Sequence, residues 1–309
     1  MTTRFAAPTS LDDALAALAA DPAARPIAGG TDLVVAARQG RKPLPESIVA
    51  IDRIAQLSST DIRAADGSLV LGALTSHAWM ATAPDVVASW TALADASAII
   101  GSPATRSTGT LGGNLMNASP AADAVAPLIA FGAVATLRSS EGAARDVPVA
   151  RLATGPGRTI AAPGELLVSV VVPRPAAGTG SAYLRLEYRR AMEIAVVGAA
   201  ALVRLEGGGP AARVAEARIA LTAVAPTVVR APSIEAALVG RPADGASARA
   251  AAAAAGSDAA PIDDVRASAD YRRAMLEVVV ARAVATAMAR AGGETVDVPA
   301  SRWARAGAV

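Results

Sequence analysis

The sequence predicts an α+β protein assembled from several small units, and three observations carry that prediction. Short apolar runs at 47–51, 133–137, 166–172 and 196–204 have the alternation or β-branched content of strands. Stretches at 10–20, 90–100 and 270–291 place apolar residues at helical spacing instead. Two glycine-rich loops, Ala28-Gly29-Gly30-Thr31-Asp32-Leu33 and Thr110-Leu111-Gly112-Gly113-Asn114, lie beside such segments. A chain of 309 residues is long enough to bury a sizeable core shared among two or three substructures.

Taken in order, Ser10 is a candidate N-cap, and Leu11, Leu15 and Leu18 share one helical face until Pro22 ends the helix. A short strand at 25–28 leads into the first glycine loop, an apolar stretch follows at 33–37, and 47–51 is a second strand. Residues 54–57 begin a connection, so 1–57 form a small α/β unit. Beyond it, Asp66-Gly67 lies between Ile62-Arg63-Ala64 and Ser68-Leu69-Val70-Leu71-Gly72, which reads as a hairpin. The helix at 90–100 precedes the second glycine loop. Ser119-Pro120 then reads as a helix start, serine as N-cap and proline at the first position, with the helix reaching Phe131. Strands at 133–137 and 166–172 complete a unit at 58–175, stopped by Pro173.

The segment 174–180, rich in proline, glycine and alanine, predicts a linker. A third unit at 176–292 holds strands near 183–188, 196–204 and 213–224, and helices near 233–239 and 246–255. The long helix at 270–291 closes it, with Gly292-Gly293 as the stop. The tail at 293–309 reads as an arm against a partner or as disordered chain.

Composition excludes several functions. Hydrophobic residues make up 53% of the chain but aromatics only 3%, because alanine dominates. The longest apolar run, Ala124 to Leu137, is shorter than a membrane span and is broken by Pro127 and Gly132. Met1 to Phe5 lead into no signal-peptide core, so a cytoplasmic location is expected. The net charge of +2 comes from scattered residues with no basic, aromatic-bearing stripe, so nucleic acid is not an expected partner. Cysteine is absent, which rules out a disulfide, a cysteine nucleophile and a cysteine-ligated iron–sulfur cluster. The single histidine, His77, rules out multi-histidine zinc sites and reads as structural. Trp79 and Trp90 read as core residues. Any redox chemistry therefore needs an organic cofactor or a partner chain.

Each loop sets adjacent glycines beside a hydroxyl, so backbone N–H groups can approach an anion without an intervening Cβ. The first loop is equally readable as a tight turn. The second adds the Asn114 amide, with Ser119 and Asp123 shortly after it. Asp123 suits a ribose diol, or alternatively the dipole of a following helix. Two such loops suggest a ligand with two phosphates held from both sides. Neither is a Gly-x-Gly-x-x-Gly fingerprint, and no Gly-Lys-Ser/Thr loop is present.

These residues resemble a known family. Ala28 to Leu33, Thr110 to Leu115, Asn117 to Asp123, Arg189 to Val197 and Asp270 to Arg273 are together similar to the FAD subunit of molybdenum hydroxylases. This is the medium subunit of the carbon monoxide dehydrogenase and xanthine dehydrogenase family, and the likeness spans nearly the whole chain in order. It implies a two-part FAD-binding domain of the PCMH type, then a C-terminal α+β domain with a three-stranded sheet and a helical bundle. It implies non-covalent FAD, with Ile27, Ala28, Gly29, Gly30, Thr31, Asp32 and Leu33 wrapping the pyrophosphate and approaching the flavin. Thr110, Leu111, Gly112, Gly113 and Asn114 would clasp it from the other side, with Ser119 following. Asp123 would contact the FAD and Leu167 would pack near it. Ile100 stands beside the ring where some relatives carry an aromatic, and Arg185 where relatives often carry lysine.

The resemblance assigns no catalytic residue and no metal to this chain. It implies a large partner with the molybdenum cofactor and a small partner with two [2Fe–2S] clusters, assembled as a dimer of heterotrimers. Electrons would reach FAD here and leave to NAD⁺, oxygen, a quinone or another acceptor. Two other readings of the residues remain: a standalone PCMH-type flavin oxidoreductase, and a non-catalytic nucleotide-binding or assembly module.

Overall fold

A computed structural model describes residues 3–62, 65–142, 144–189 and 191–300. Its first unit runs β1 (Arg4–Ala6), α1 (Leu11–Ala20), β2 (Ala24–Ile27), α2 (Leu33–Arg38) and β3 (Ser47–Ala50). The strands form a parallel sheet of order β1-β3-β2. Parallel neighbours need crossovers, which α1 and α2 supply. Ser10 caps α1 by accepting from the Asp13 N–H. Leu11, Ala14, Leu15 and Leu18 bury that helix against Val49, Ile51, Ile54 and Leu57.

The second unit is built on an antiparallel sheet of order β4-β5-β10-β6-β7. Its elements begin with β4 (Thr60–Ile62), β5 (Leu69–Gly72), α3 (His77–Thr82), α4 (Pro84–Ser89), α5 (Thr91–Ile99) and α6 (Pro103–Thr108). They continue through α7 (Leu111–Met116), α8 (Val125–Phe131), β6 (Val134–Arg138), β7 (Ala144–Pro148) and α9 (Val149–Leu152). A small ribbon of β8 (Ala153–Gly155) and β9 (Arg158–Thr159) precedes β10 (Leu166–Val172). The apolar run of β10 suits the centre of this sheet, where it pairs β5 on one side and β6 on the other.

Ser119-Pro120 does not open a helix. Residues 119–124 form turns, and α8 begins at Val125. Ala118 already has φ +47°, and Ser119 Oγ accepts locally from the Ala121 N–H. The Pro120 carbonyl then accepts from Thr222 Oγ and the Ala223 N–H, which removes it from any helical ladder. A tertiary contact has overridden a local signal.

The third unit holds β11 (Thr179–Leu186), β12 (Val197–Glu206), β13 (Arg213–Thr222) and β14 (Val229–Arg230), antiparallel and in that order. Three strands are long, and β14 adds two residues at the edge. Helices α10 (Pro232–Leu238), α11 (Gly245–Ala252) and α12 (Ala269–Ala291) complete it. Alternation on β12 sends Ala199, Ala201 and Val203 toward α12, and Ala200 and Leu202 toward the second unit's core. The sheet is thus buried on both faces, and small side chains keep its layers thin. A Cβ on Gly180 would lie 2.2 Å from the Ala287 carbonyl oxygen of α12.

Residues 294–300 fold back rather than project as an arm. Val296 and Ala300 are buried, and the Ala300 N–H donates to Asp95 at 2.8 Å. The rest of the tail, 301–309, lies outside the described residues.

Candidate functional site

The two glycine loops meet. Gly30, at φ +66°, turns the chain out of β2 and into α2, a conformation glycine adopts without strain. A Cβ on Gly29 would lie 1.9 Å from the Thr108 carbonyl oxygen, so the first loop presses on the end of α6. A Cβ on Gly109 would lie 3.4 Å from His77 Cδ2 and 3.6 Å from Thr31 Oγ1. Thr31, Gly109 and His77 therefore converge where the loops touch.

Their backbones differ in what they offer. The N–H groups of Gly29, Gly30, Thr31, Asp32 and Leu33 donate to no acceptor among the described residues. A run of unpaired donors at a strand-to-helix turn is an anion cradle. Crowding by the surrounding protein raises the Asp32 carboxyl above its usual range, and its side chain makes no cap bond.

In the second loop the donors are already engaged. Leu111 N–H donates to the Thr75 carbonyl, Gly112 N–H to Ala73, Gly113 N–H to Thr110 Oγ, and Asn114 N–H to Thr110. Gly112 is required for packing, because a Cβ there would lie 2.8 Å from the Ala73 carbonyl oxygen. Gly113 is exposed, and a Cβ there would meet only Thr110 Oγ1, at 3.0 Å. Its missing side chain leaves room for something outside the fold.

Around the same loop, Thr75 Oγ1, His77 Nδ1 and Asn114 Oδ1 are buried without hydrogen-bond partners among the described residues. Such atoms cost about 1–3 kcal/mol each when left unpaired. The sequence did not single out Thr75 and gave His77 only a structural role, because their relation to Thr110 arises from the bridge between Ser76 and Thr110.

Asp123, Arg185 and Ile100 form a second cluster. Asp123 Oδ1 accepts from the Tyr183 hydroxyl at 2.7 Å, and Oδ2 from Arg185 Nη1 at 2.6 Å. Arg185 also reaches Glu187 at 2.8 Å and the Ile99 carbonyl at 2.9 Å, and its side chain is 0% exposed. Arg106 donates to the Ile100 carbonyl from the other side. Burial pushes the Asp123 carboxyl up, against the pull of Arg185 and Tyr183. Burial also raises the Tyr183 phenol well above its usual value, so it remains a donor. Asp123 thus acts first on Arg185, fixing a cation beneath the backbone at Ile99–Ile100.

Leu167 is buried in the core on β10, and Ser119 lies in the turn after α7. Met192, within the stretch from Arg189 to Val197 that carries part of the resemblance, has φ +53° and donates its N–H to the Gly101 carbonyl. Its Sδ accepts from Thr105 Oγ1 at 3.6 Å, so the loop after β11 lies against the start of α6.

FAD fits these residues: unpaired N–H groups for a diphosphate, an open face at Gly113, and unpartnered polar atoms beside it. Among the described residues no group of acidic or histidine side chains can hold a metal ion, and no helix is long and apolar enough to cross a membrane.

Comparison with known proteins agrees with this geometry. The family described as the FAD binding domain in molybdopterin dehydrogenase matches residues 1–175, and the CO dehydrogenase flavoprotein C-terminal domain matches 182–287. The putative xanthine dehydrogenase FAD-binding subunit of Escherichia coli K12 is 31% identical over 286 residues, covering 92% of this chain and 96% of its own. The carbon monoxide dehydrogenase medium chain of Afipia carboxidovorans is 34% identical, with the same two coverages, 92% and 96%. Carbon monoxide dehydrogenase from Hydrogenophaga pseudoflava has a similar structure, with a TM-score of 0.87 and 35% identity over 94% of this chain and 98% of that one. Quinoline 2-oxidoreductase from Pseudomonas putida 86 gives a TM-score of 0.86 and 30% identity over 94% and 99%. Likeness of this extent, across both halves of the chain, makes it an oxidoreductase component belonging to the FAD-binding subunits of the molybdenum hydroxylase family.

Proposed function

We propose that this chain binds FAD across its two glycine loops and serves as the electron-transfer subunit of a heterotrimeric molybdenum hydroxylase. It receives electrons from [2Fe–2S] clusters of a small partner and delivers them to an external acceptor, while a large partner carries the molybdenum cofactor. The observation that supports this best is the row of unpaired N–H groups from Gly29 to Leu33, set against the open face of Gly113. The complete absence of cysteine accords with clusters held on another chain.

In this reading residues 1–57 and 58–175 are the two parts of the FAD-binding domain, and 176–292 are the C-terminal domain. FAD, when bound, supplies the redox chemistry. The protein supplies position and field. The N–H groups of 29–33 offset the diphosphate charge, and Asn114 and Thr75 gain the partners they lack. Arg185, pinned by Asp123 and Glu187, offsets their negative charge beside Ile99 and Ile100, which keeps them from lowering the electron affinity of a ring bound there. Leu167 shapes the core behind it. We place the complex in the cytoplasm as a dimer of heterotrimers.

Native purification with a visible spectrum, metal analysis and subunit identification tests the proposal. Flavin absorbance with two companion chains, iron and molybdenum is the expected result. A colourless chain that cannot be reconstituted with FAD would overturn it.

A further inference from the structure

His77 is the only histidine in the chain. It opens α3, where Ser76 caps the helix by accepting from the Trp79 N–H. Its own backbone N–H donates to the Gly109 carbonyl at 3.2 Å, which holds the imidazole against the turn between α6 and α7. The residue is 3% exposed. Ring atom Cδ2 and the Thr31 hydroxyl approach Gly109 within 3.4 and 3.6 Å of the point a Cβ would occupy. One belongs to α3 and the other to the first glycine loop, so both flank the glycine that immediately precedes the second.

The buried Nδ1 atom, with no partner, determines the tautomer. A buried N–H without an acceptor is rarer in folded proteins than an under-satisfied acceptor, so the proton is assigned to Nε2. Nε2 is bonded to Cδ2, the ring atom that lies against Gly109, so its N–H is carried by the end of the ring next to that turn. Burial, followed by the positive charge of Arg106, lowers the imidazole pKa to about 4 and keeps it neutral. A neutral ring in this place is a hydrogen-bond donor near neutral pH, set beside the turn where the two loops meet.

We propose that His77 is a binding residue for the FAD diphosphate, its Nε2–H donating to a phosphate oxygen where the two glycine loops meet. The inference rests on the FAD-binding reading above. Gly109 itself is required by packing, because a Cβ there would lie 2.9 Å from the Thr105 carbonyl oxygen.

The test uses the full chain with ¹⁵N-labelled histidine, in which one residue supplies every imidazole signal. Without FAD the ring shows the neutral Nε2–H tautomer, and saturation with FAD moves the Nε2–H resonance downfield and slows its exchange. His77→Phe keeps the ring buried and weakens FAD binding about 10- to 100-fold, the worth of a hydrogen bond to a charged group. His77→Gln places an amide N–H near the Nε2 position and stays within about threefold of the wild type. Packing alone predicts the reverse order, with phenylalanine tolerated better than glutamine. An imidazole unmoved by FAD, or equal FAD affinity in His77→Phe, overturns the proposal. Should His77→Phe fail to fold, the wild-type ring signal and the glutamine variant decide. Wild-type protein that takes up no FAD overturns the binding reading itself, and this proposal with it.

Discussion

Gly29 and Thr108 meet backbone against backbone: the site of a Gly29 Cβ is 1.9 Å from the Thr108 carbonyl oxygen. Neither partner is the flexible end of a side chain, so one loop cannot accept a larger residue without moving the other. Gly29→Ala is therefore expected to lose about 1–3 kcal/mol of stability through overpacking, together with FAD retention. Chemical denaturation and the flavin absorbance left after desalting measure the two effects.

Gly113 provides the contrast. Its Cβ position is open apart from Thr110 Oγ1, so Gly113→Val should leave the fold largely intact and abolish FAD retention. Thermal unfolding close to that of the FAD-free wild type, with no bound flavin, is the expected pair of results. Normal flavin occupancy would count against the second loop as part of the site.

The buried pair of Asp123 and Arg185 predicts a double effect. Arg185→Met leaves the Asp123 charge uncompensated and should cost about 3–5 kcal/mol, the range for breaking a buried ion pair. It also removes the cation near Ile100, so the midpoint potential of bound flavin should fall. Spectroelectrochemical titration of wild type and variant reads that shift, and an unchanged potential would separate Arg185 from the flavin.

Stability should respond to pH through His77. Its pKa is about 4 in the folded chain and about 6.5 when unfolded, so protons bind the unfolded chain more readily. The contribution is present in full above about pH 6.5 and is lost as pH falls toward 4. Melting curves across this range should drop more steeply for wild type than for His77→Gln. Identical slopes would mean the imidazole titrates freely in the folded chain.

A fourth site joins the units. Arg290 on α12 binds Asp95 on α5 at 2.6 Å, with side-chain exposures of 7% and 0%. Asp95 also accepts from the N–H groups of Tyr183 and Ala300, so helix, sheet and folded-back tail share one carboxylate. Asp95→Ala should cost about 3–5 kcal/mol and expose residues 294–300 to protease. Urea unfolding and limited proteolysis check both.

The long elements were legible in the sequence for simple reasons. Helix α12 carries its pattern over 23 residues, and β10 is an uninterrupted apolar run that suits a central strand. The Ser119-Pro120 signal misled because the Pro120 carbonyl is drawn to β13, a partner distant in sequence. Both glycine loops stand out in the sequence, but not the difference between their backbone donors. That difference depends on carbonyls at Ala73 and Thr75, whose approach to Leu111 and Gly112 no local pattern encodes. The neighbours of His77 were equally hidden, since Gly109 and Thr31 come from separate parts of the chain.

The unequal use of backbone donors gives the two loops different lives before a cofactor arrives. The stretch from Leu111 to Asn114 is already fastened to the protein and keeps its shape alone, a rigid jaw. Gly29 to Leu33, with every donor unclaimed, is the compliant jaw, and the entropy lost on loading the cofactor falls mainly there. In hydrogen–deuterium exchange the empty chain should protect 111–114 and exchange rapidly at 29–33, and FAD should slow only the second set. Newly made subunits awaiting FAD would then be cleaved most readily at the first loop.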